Sequence, residues 1–352
     1  MDDLRPAATQ TDTVKDYYGK LLKSSADLKT SACCLAETLP VHVRELLKEV
    51  HPEVSERFYG CGSPIPPALD GVAVLDLGSG SGRDCYVLSK LVGPSGRVIG
   101  LDMTDEQLAV ARKHQKYHAD KFGYANTEFR QGYIEDLKAA GIADASMDLV
   151  ISNCVLNLSP DKPRVFDEIF RVLRPGGELY FSDVFADRRI PRPLAQDPVL
   201  LGECLGGALY LEDFRRLMAR AGCHDARVVS SAPLALNSPE LEAKVGNIRF
   251  SSVTVRAFKL QLEDRCEDFG QVATYLGGLS ECPHAFDLDD HHRFETGRPM
   301  RVCGNTADMI GRTRYARHFR VAGDKSVHYG LFDCGPSTLS SASGPAPKAG
   351  CC

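Results

Sequence analysis

The stretch "VLDLGSGSGRD", residues 74–84, decides the fold. The apolar run "VAVLDL" (72–77) reads as a buried strand with Asp76 at its end. Gly78, Gly80 and Gly82 then alternate before "RDCYVLSKLV" (83–92), which has helical spacing. Glycines there permit a tight turn and let a ligand come close to the backbone. A dinucleotide fingerprint would place its third glycine at 83, where the chain has Arg83. No G-K-[ST] follows either, so the loop is not a phosphate-cradling P-loop.

Outward from this loop, strands and helices alternate. "RVIGLD" (97–102) is a strand ending in Asp102, and "TDEQLAVARKHQKYHADKF" (104–122) is a helix with acidic residues in its first turn. "TEFRQGYI" (127–134) and "MDLVISN" (147–153) read as strands. "PDKPRVFDEIFRVL" (160–173) is a helix stopped by "RPGG", and "ELYFSDV" (178–184) is a strand. This order predicts an α/β fold with a parallel sheet and helices on both faces. Residues 1–60 read as an N-terminal helical segment and 61–184 as a Rossmann-like cofactor-binding domain. Residues 185–260 carry an insertion rich in Pro and Gly, then the remaining strands. A small α+β domain is expected over 261–335, and 336–352 reads as a disordered tail.

Composition excludes several classes. Net charge is −5, which offers no electrostatic footprint for nucleic acid or anionic lipid. No apolar run is long enough to span a bilayer, and the polar start "MDDLRPAATQ" is no secretory signal. A cytoplasmic monomer is expected, with its thiols reduced. The 13 cysteines include no C-x-x-C, which argues against zinc ribbons and thioredoxin-type motifs. Thiols that act together must be assembled by the fold.

A G-x-G-x-G loop after an acidic strand end resembles the S-adenosylmethionine loop of class I methyltransferases. Asp76 then suits the ammonium of the cofactor's amino-acid tail, Asp102 suits two ribose hydroxyls, and Met103 can lie on the adenine. Ligands of such sheets sit beyond the carboxyl ends of the strands. Cys154 lies there in "SNCVLN" (152–157), and Cys61 in "FYGCG" and Cys204 in "GECLGGALY" are loop cysteines that could reach the same mouth. Three converging thiols suit a soft, thiophilic acceptor. Cys85 and Cys223, in helix-like contexts, read as filler.

The segments "YYGKLLKSSADLKTSAC" (17–33), "FYGCG" (58–62), "GSGSGRDCYVLS" (78–89), "VISNCVLNL" (150–158) and "GECLGGALY" (202–210) together resemble arsenite S-adenosylmethionine methyltransferases, over residues 14–260. The resemblance implies arsenic(III) on Cys61, Cys154 and Cys204. It implies a redox cysteine at Cys33, with Cys34 beside it, which pairs with Cys61 in a disulfide. It also implies cofactor contacts from Tyr59, Gly78, Arg83, Asp102, Met103, Ile134, Glu135 and Asn153. The expected reaction moves a methyl group to thiol-bound As(III), giving mono- and dimethylated products and permitting a trimethylated one. Glutathione or thioredoxin would supply reducing thiols. Two other readings are a small-molecule C- or O-methyltransferase of quinone or sterol type, and a thiol-rich metalloid-sequestering protein, an idea that Cys351 and Cys352 feed.

Overall fold

The structure, a computed structural model, describes residues 11, 14, 15, 17, 18, 40–60, 62 and 64–334. Helices α1 (Val41–Leu47) and α2 (Pro52–Glu56) precede the sheet. Then follow β1 (Ala73–Leu77), α3 (Arg83–Val92), β2 (Arg97–Asp102), α4 (Asp105–Lys113), α5 (Gln115–Phe122), β3 (Thr127–Gln131) and β4 (Met147–Asn153). Next come α6 (Lys162–Val172), β5 (Leu173–Ala186), the short helices α7 (Arg192–Ala195) and α8 (Pro198–Gly202), β6 (Leu209–Tyr210), α9 (Leu211–Arg220), β7 (Arg227–Pro233), α10 (Pro239–Val245) and β8 (Phe250–Phe258). The strands lie in the order β3-β2-β1-β4-β5-β8-β7, with β6 beside β5. The first five and β6 are parallel, while β8 runs antiparallel to β5 and β7.

Every residue of β1 is buried, as a strand covered on both faces requires. Phe166, Ile169, Phe170, Phe181 and Phe214 pack one face, and Tyr86, Leu88, Leu108 and Phe129 the other. Helix α6 starts on Asp161, whose carboxylate accepts the Arg164 N–H at 3.2 Å, and buries Val165, Phe166, Ile169 and Phe170 as one stripe. No helix among the described residues is long and apolar enough to cross a membrane.

Three local readings change. The helix expected over 104–122 breaks at His114, whose φ of −101° and ψ of 6° end α4 and start α5. Strand β3 stops at Gln131, where the Gly132 N–H makes the last bond of its pairing with β2, to the Asp102 carbonyl at 3.0 Å. "RPGG" does not separate α6 from its strand. It enters β5 as an irregularity in which the β4 register shifts and Gly176 takes φ +78°.

The C-terminal residues form a three-stranded antiparallel sheet of β9 (Val272–Tyr275), β12 (Pro299–Arg301) and β13 (Phe319–Ala322). Beside it are a hairpin of β10 (Ala285–Asp287) and β11 (Arg293–Glu295), and helix α11 (Gly304–Gly311). This region is tied to the main sheet by a buried polar knot. Arg256 on β8 donates to Glu178 on β5 at 2.8 Å, to the Leu288 carbonyl at 2.5 Å and to the Tyr315 hydroxyl at 3.0 Å. Arg314 and the Tyr315 hydroxyl reach the other Glu178 oxygen. The expected tail lies outside the described residues, as do Cys33 and most of the segment before residue 40.

Candidate active site

A cleft enclosing about 1010 Å³, mouth included, opens at the carboxyl ends of β1, β2 and β4. Its floor is the glycine loop. Gly78 takes φ +73°, and a Cβ there would come within 2.3 Å of the Val155 side chain, so only glycine lets β4's outgoing loop lie against it. The Gly80 N–H donates to Asp102 Oδ2 at 2.8 Å, and the Thr104 N–H donates to Oδ1 at 2.8 Å. Two backbone donors therefore fix the Asp102 carboxylate at the cleft wall.

Of the expected cofactor residues, Tyr59, Asp76, Gly78, Gly80, Asp102, Met103, Ile134, Glu135 and Asn153 all line the cleft. Arg83 does not line it. Its guanidinium pairs with Asp84 at 2.8 Å and lies 3.0 Å from the Phe58 ring centroid, which braces the segment beside Tyr59. Burial and the neighbouring Asp84 charge push Asp76 up to about 8, against a hydrogen bond donated by the Cys85 thiol. Cys85 is thus a buried thiol with a job on Asp76. Glu135 accepts from the Ser159 hydroxyl.

Sequence reasoning missed several contributors. Asp84, Ser79, Gln107 and Tyr18 also line the cleft. Ser79 Oγ and Gln107 Oε1 are buried there and find no partner among the described residues. Orphaned polar atoms beside three carboxylates, Asp76, Asp84 and Asp102, fit a polar ligand that carries positive charge, as S-adenosylmethionine does.

Cys154 borders the cleft, directly after β4, and takes φ +56°. Cys204, in the loop after α8, takes φ +60°. Both are non-glycine residues in the left-handed region, where strain is held only by surrounding structure. Cys154 is held by its N–H to the Ser182 carbonyl at 2.8 Å, and Cys204 by its thiol donating to the Cys154 carbonyl at 3.1 Å. The Tyr18 hydroxyl lies 3.8 Å from the Cys204 sulfur and donates to the Gly202 carbonyl at 2.8 Å. The ligand atoms of Cys154, Cys204 and Asp183 lie within 4.8 Å of one another. Asp183 was not anticipated, although an acidic residue near the end of a buried strand was the same signal that marked Asp76 and Asp102. Burial pushes it up to about 7, against hydrogen bonds from Asn157 and Val184.

Cys61 lies outside the described residues, but its neighbours do not. The Gly62 N–H donates to Asn153 Oδ1 at 3.2 Å and Asn153 Nδ2 donates to the Gly62 carbonyl at 2.9 Å, one residue before Cys154. Cys154 is disulfide-bonded, and none of the other described cysteines is its partner.

Strand order, glycine loop and acidic strand ends define a class I methyltransferase fold. Residues 68–222 match the family described as a methyltransferase domain, and residues 269–335 match the arsenite methyltransferase C-terminal domain. The arsenite methyltransferase of Aquipseudomonas alcaligenes is 58% identical over 326 residues, covering 92% of this chain and 94% of that one. The arsenite methyltransferase of Homo sapiens is 44% identical over 91% of this chain and 86% of its own. The crystal structure of an arsenic(III) S-adenosylmethionine methyltransferase from Chlamydomonas reinhardtii superposes with a TM-score of 0.81, at 54% identity, over 84% of this chain and all of that one. This chain belongs to the arsenite methyltransferase family of S-adenosylmethionine-dependent enzymes.

Proposed function

We propose that this chain methylates thiol-bound trivalent arsenic through mono-, di- and trimethylated products, with Cys61, Cys154 and Cys204 as the arsenic ligands. The observation that supports this most is the pairing of Cys204 with Cys154, both in left-handed backbone, Cys154 lining the cofactor cleft.

The cofactor supplies an electrophilic methyl on a sulfonium. Asp76 is suited to its ammonium, Asp102 to the ribose hydroxyls, and Met103, Ile134 and Glu135 to the adenine side, with Tyr59 and Asn153 at the rim. Arsenite exchanges three As–O bonds for three As–S bonds, and each thiol proton leaves with a hydroxide as water. Asp183, pushed up to about 7, is poised to take a thiol proton and return it to the departing hydroxide. Three thiolates would hold arsenic as a pyramid with its lone pair free toward the cofactor's methyl, so that an As–C bond would form as the S–CH3 bond breaks and its electron pair stays on the sulfur as a neutral thioether. Arsenic loses no proton in this step, so no general base is required. Alignment alone can supply roughly 7–11 kcal/mol of the acceleration.

Methyl transfer leaves arsenic formally pentavalent. Two thiolates then return two electrons by forming a disulfide, for which Cys33 and Cys61 are the candidate pair. Cys154 must itself be reduced before it can bind arsenic, since it stands in a disulfide here. A reductant such as glutathione or thioredoxin serves both needs, in the cytoplasm and with the chain as a monomer. Incubating the reduced protein with methyl-labelled cofactor and arsenite tests the proposal. Label should appear in methylated arsenicals, and transfer only to organic acceptors would refute it.

A further inference from the structure

Three cysteines outside the active site converge from distant parts of the chain. Cys266 follows β8, Cys303 caps α11, and Cys334 ends the described chain. Their sulfurs lie within 4.8 Å of one another, and no described His, Asp or Glu joins them within that distance. The meeting is built by the backbone. The Phe332 N–H donates to the Cys266 carbonyl at 2.7 Å, Glu267 bridges Leu331, and the Cys334 N–H donates to the Phe332 carbonyl at 3.0 Å. Cys303 is buried, while Cys266 and Cys334 are half-buried and border an open cavity of about 880 Å³, mouth included. None of the three is in a disulfide.

We propose that Cys266, Cys303 and Cys334 form a second binding site for a trivalent thiophilic metalloid, arsenic(III) or antimony(III), apart from the methylation site. Thiolates select soft ions, and a structural zinc would want a fourth protein ligand. A trivalent metalloid needs only three sulfurs, because its lone pair fills the remaining direction. The Cys303 sulfur is prepared for thiolate character: the Thr306 N–H points to it at 3.4 Å from the first turn of α11, and Arg227 Nη2 lies 3.9 Å away. Cys223 borders the same cavity, but burial pushes its thiol up to about 12, so it stays packing. Loading from arsenite breaks three As–O bonds, forms three As–S bonds and releases three waters, with no change of oxidation state. Arg227 stands on β7, three strands from β4, about 14 Å across the sheet at about 4.8 Å per strand. A metalloid there is out of reach of a methyl donor in the cleft, so the site holds metalloid without methylating it.

The test uses the full chain carrying Cys204→Ser, reduced with a phosphine, with arsenite alone as the probe. Bound arsenic is counted by equilibrium dialysis, and its neighbours are read by X-ray absorption. We expect tightly bound arsenic with three sulfur neighbours, and loss of about tenfold or more in affinity on adding Cys266→Ser or Cys334→Ser. Both positions are half-buried, and circular dichroism checks the fold. Tri-sulfur arsenic that is unchanged by Cys266→Ser, its absence from Cys204→Ser, or its displacement by equimolar zinc would overturn the proposal. With Cys204 intact, Cys266→Ser should still methylate methylarsenite.

Discussion

The Cys204 thiol donates to the carbonyl oxygen of Cys154 at 3.1 Å, across a sequence separation of 50. The spacing of this pair is therefore set by main chain as well as by side chains. Either Cys154→Ser or Cys204→Ser should lower methylation of both arsenite and methylarsenite by about a hundredfold or more, because a hydroxyl does not replace a thiolate on a soft ion. Cys61→Ser should lose activity on arsenite only, since methylarsenite has two exchangeable ligands. Substrate-resolved assays decide, and substantial turnover of methylarsenite by Cys154→Ser would make Cys154 a packing residue.

Gly207 holds the Cys204 loop against the turn after β4. A Cβ at that position would lie 2.0 Å from the Asn157 carbonyl oxygen. Gly207→Ala should therefore displace the loop and weaken arsenite binding by about tenfold or more, while cofactor affinity stays within about twofold. Parallel titrations with each ligand check this.

Asp102→Ala removes the acceptor assigned to the ribose hydroxyls and frees the Gly80 N–H. Loss of a hydrogen bond to a charged group costs roughly 1.5–3 kcal/mol, so cofactor affinity should fall at least about tenfold. Calorimetric titration measures it, and an unchanged affinity would remove Asp102 from the cofactor.

Asp76 makes cofactor binding pH-dependent. Held up to about 8 in the free chain, it is mostly protonated at neutral pH and must lose a proton to pair with an ammonium. Affinity should rise between about pH 6 and 8, by at most about tenfold per unit, with proton release visible as a dependence of calorimetric heat on buffer. The folded value lies above the ordinary carboxylate value, so the free chain also loses stability as pH rises from about 4 to about 8. Asp76→Asn should abolish the affinity trend and lessen the stability trend, the rest of which Asp183 carries.

Glu178→Ala leaves Arg256 buried with its carboxylate partner gone. Breaking a buried pair in this way costs about 3–5 kcal/mol. Chemical denaturation should show that loss, and paired removal with Arg256→Met should recover part of it.

Periodicity carried the sheet, because strands buried on both faces read as apolar runs and their acidic ends stand out against them. Asp76, Asp102 and the glycine loop were legible for that reason. The break at His114 was not, since both halves of the segment keep helical spacing and only the backbone angles of one residue differ. Tyr18 was invisible as a site residue because its role depends on a contact across 186 residues of chain, with Cys204. Asp183 carried the acidic strand-end signal, but only its place beside Cys154 and Cys204 in the fold makes it part of the site. The Cys266, Cys303 and Cys334 cluster has no local spacing signature at all. It exists only because the last described residues return to pair beside Cys266.

Left-handed backbone at positions 154 and 204 has a bearing on how such chains diverge. Each non-glycine residue held there costs of order 1–3 kcal/mol, a strain that glycine would relieve and asparagine would lessen. A descendant released from handling arsenic gains stability by drifting to Gly or Asn at either position, while its glycine loop and cofactor carboxylates need not change. Within this fold, paired cysteines at these two positions mark a lineage still under selection for metalloid chemistry, and their joint replacement by glycine or asparagine marks one that has left it.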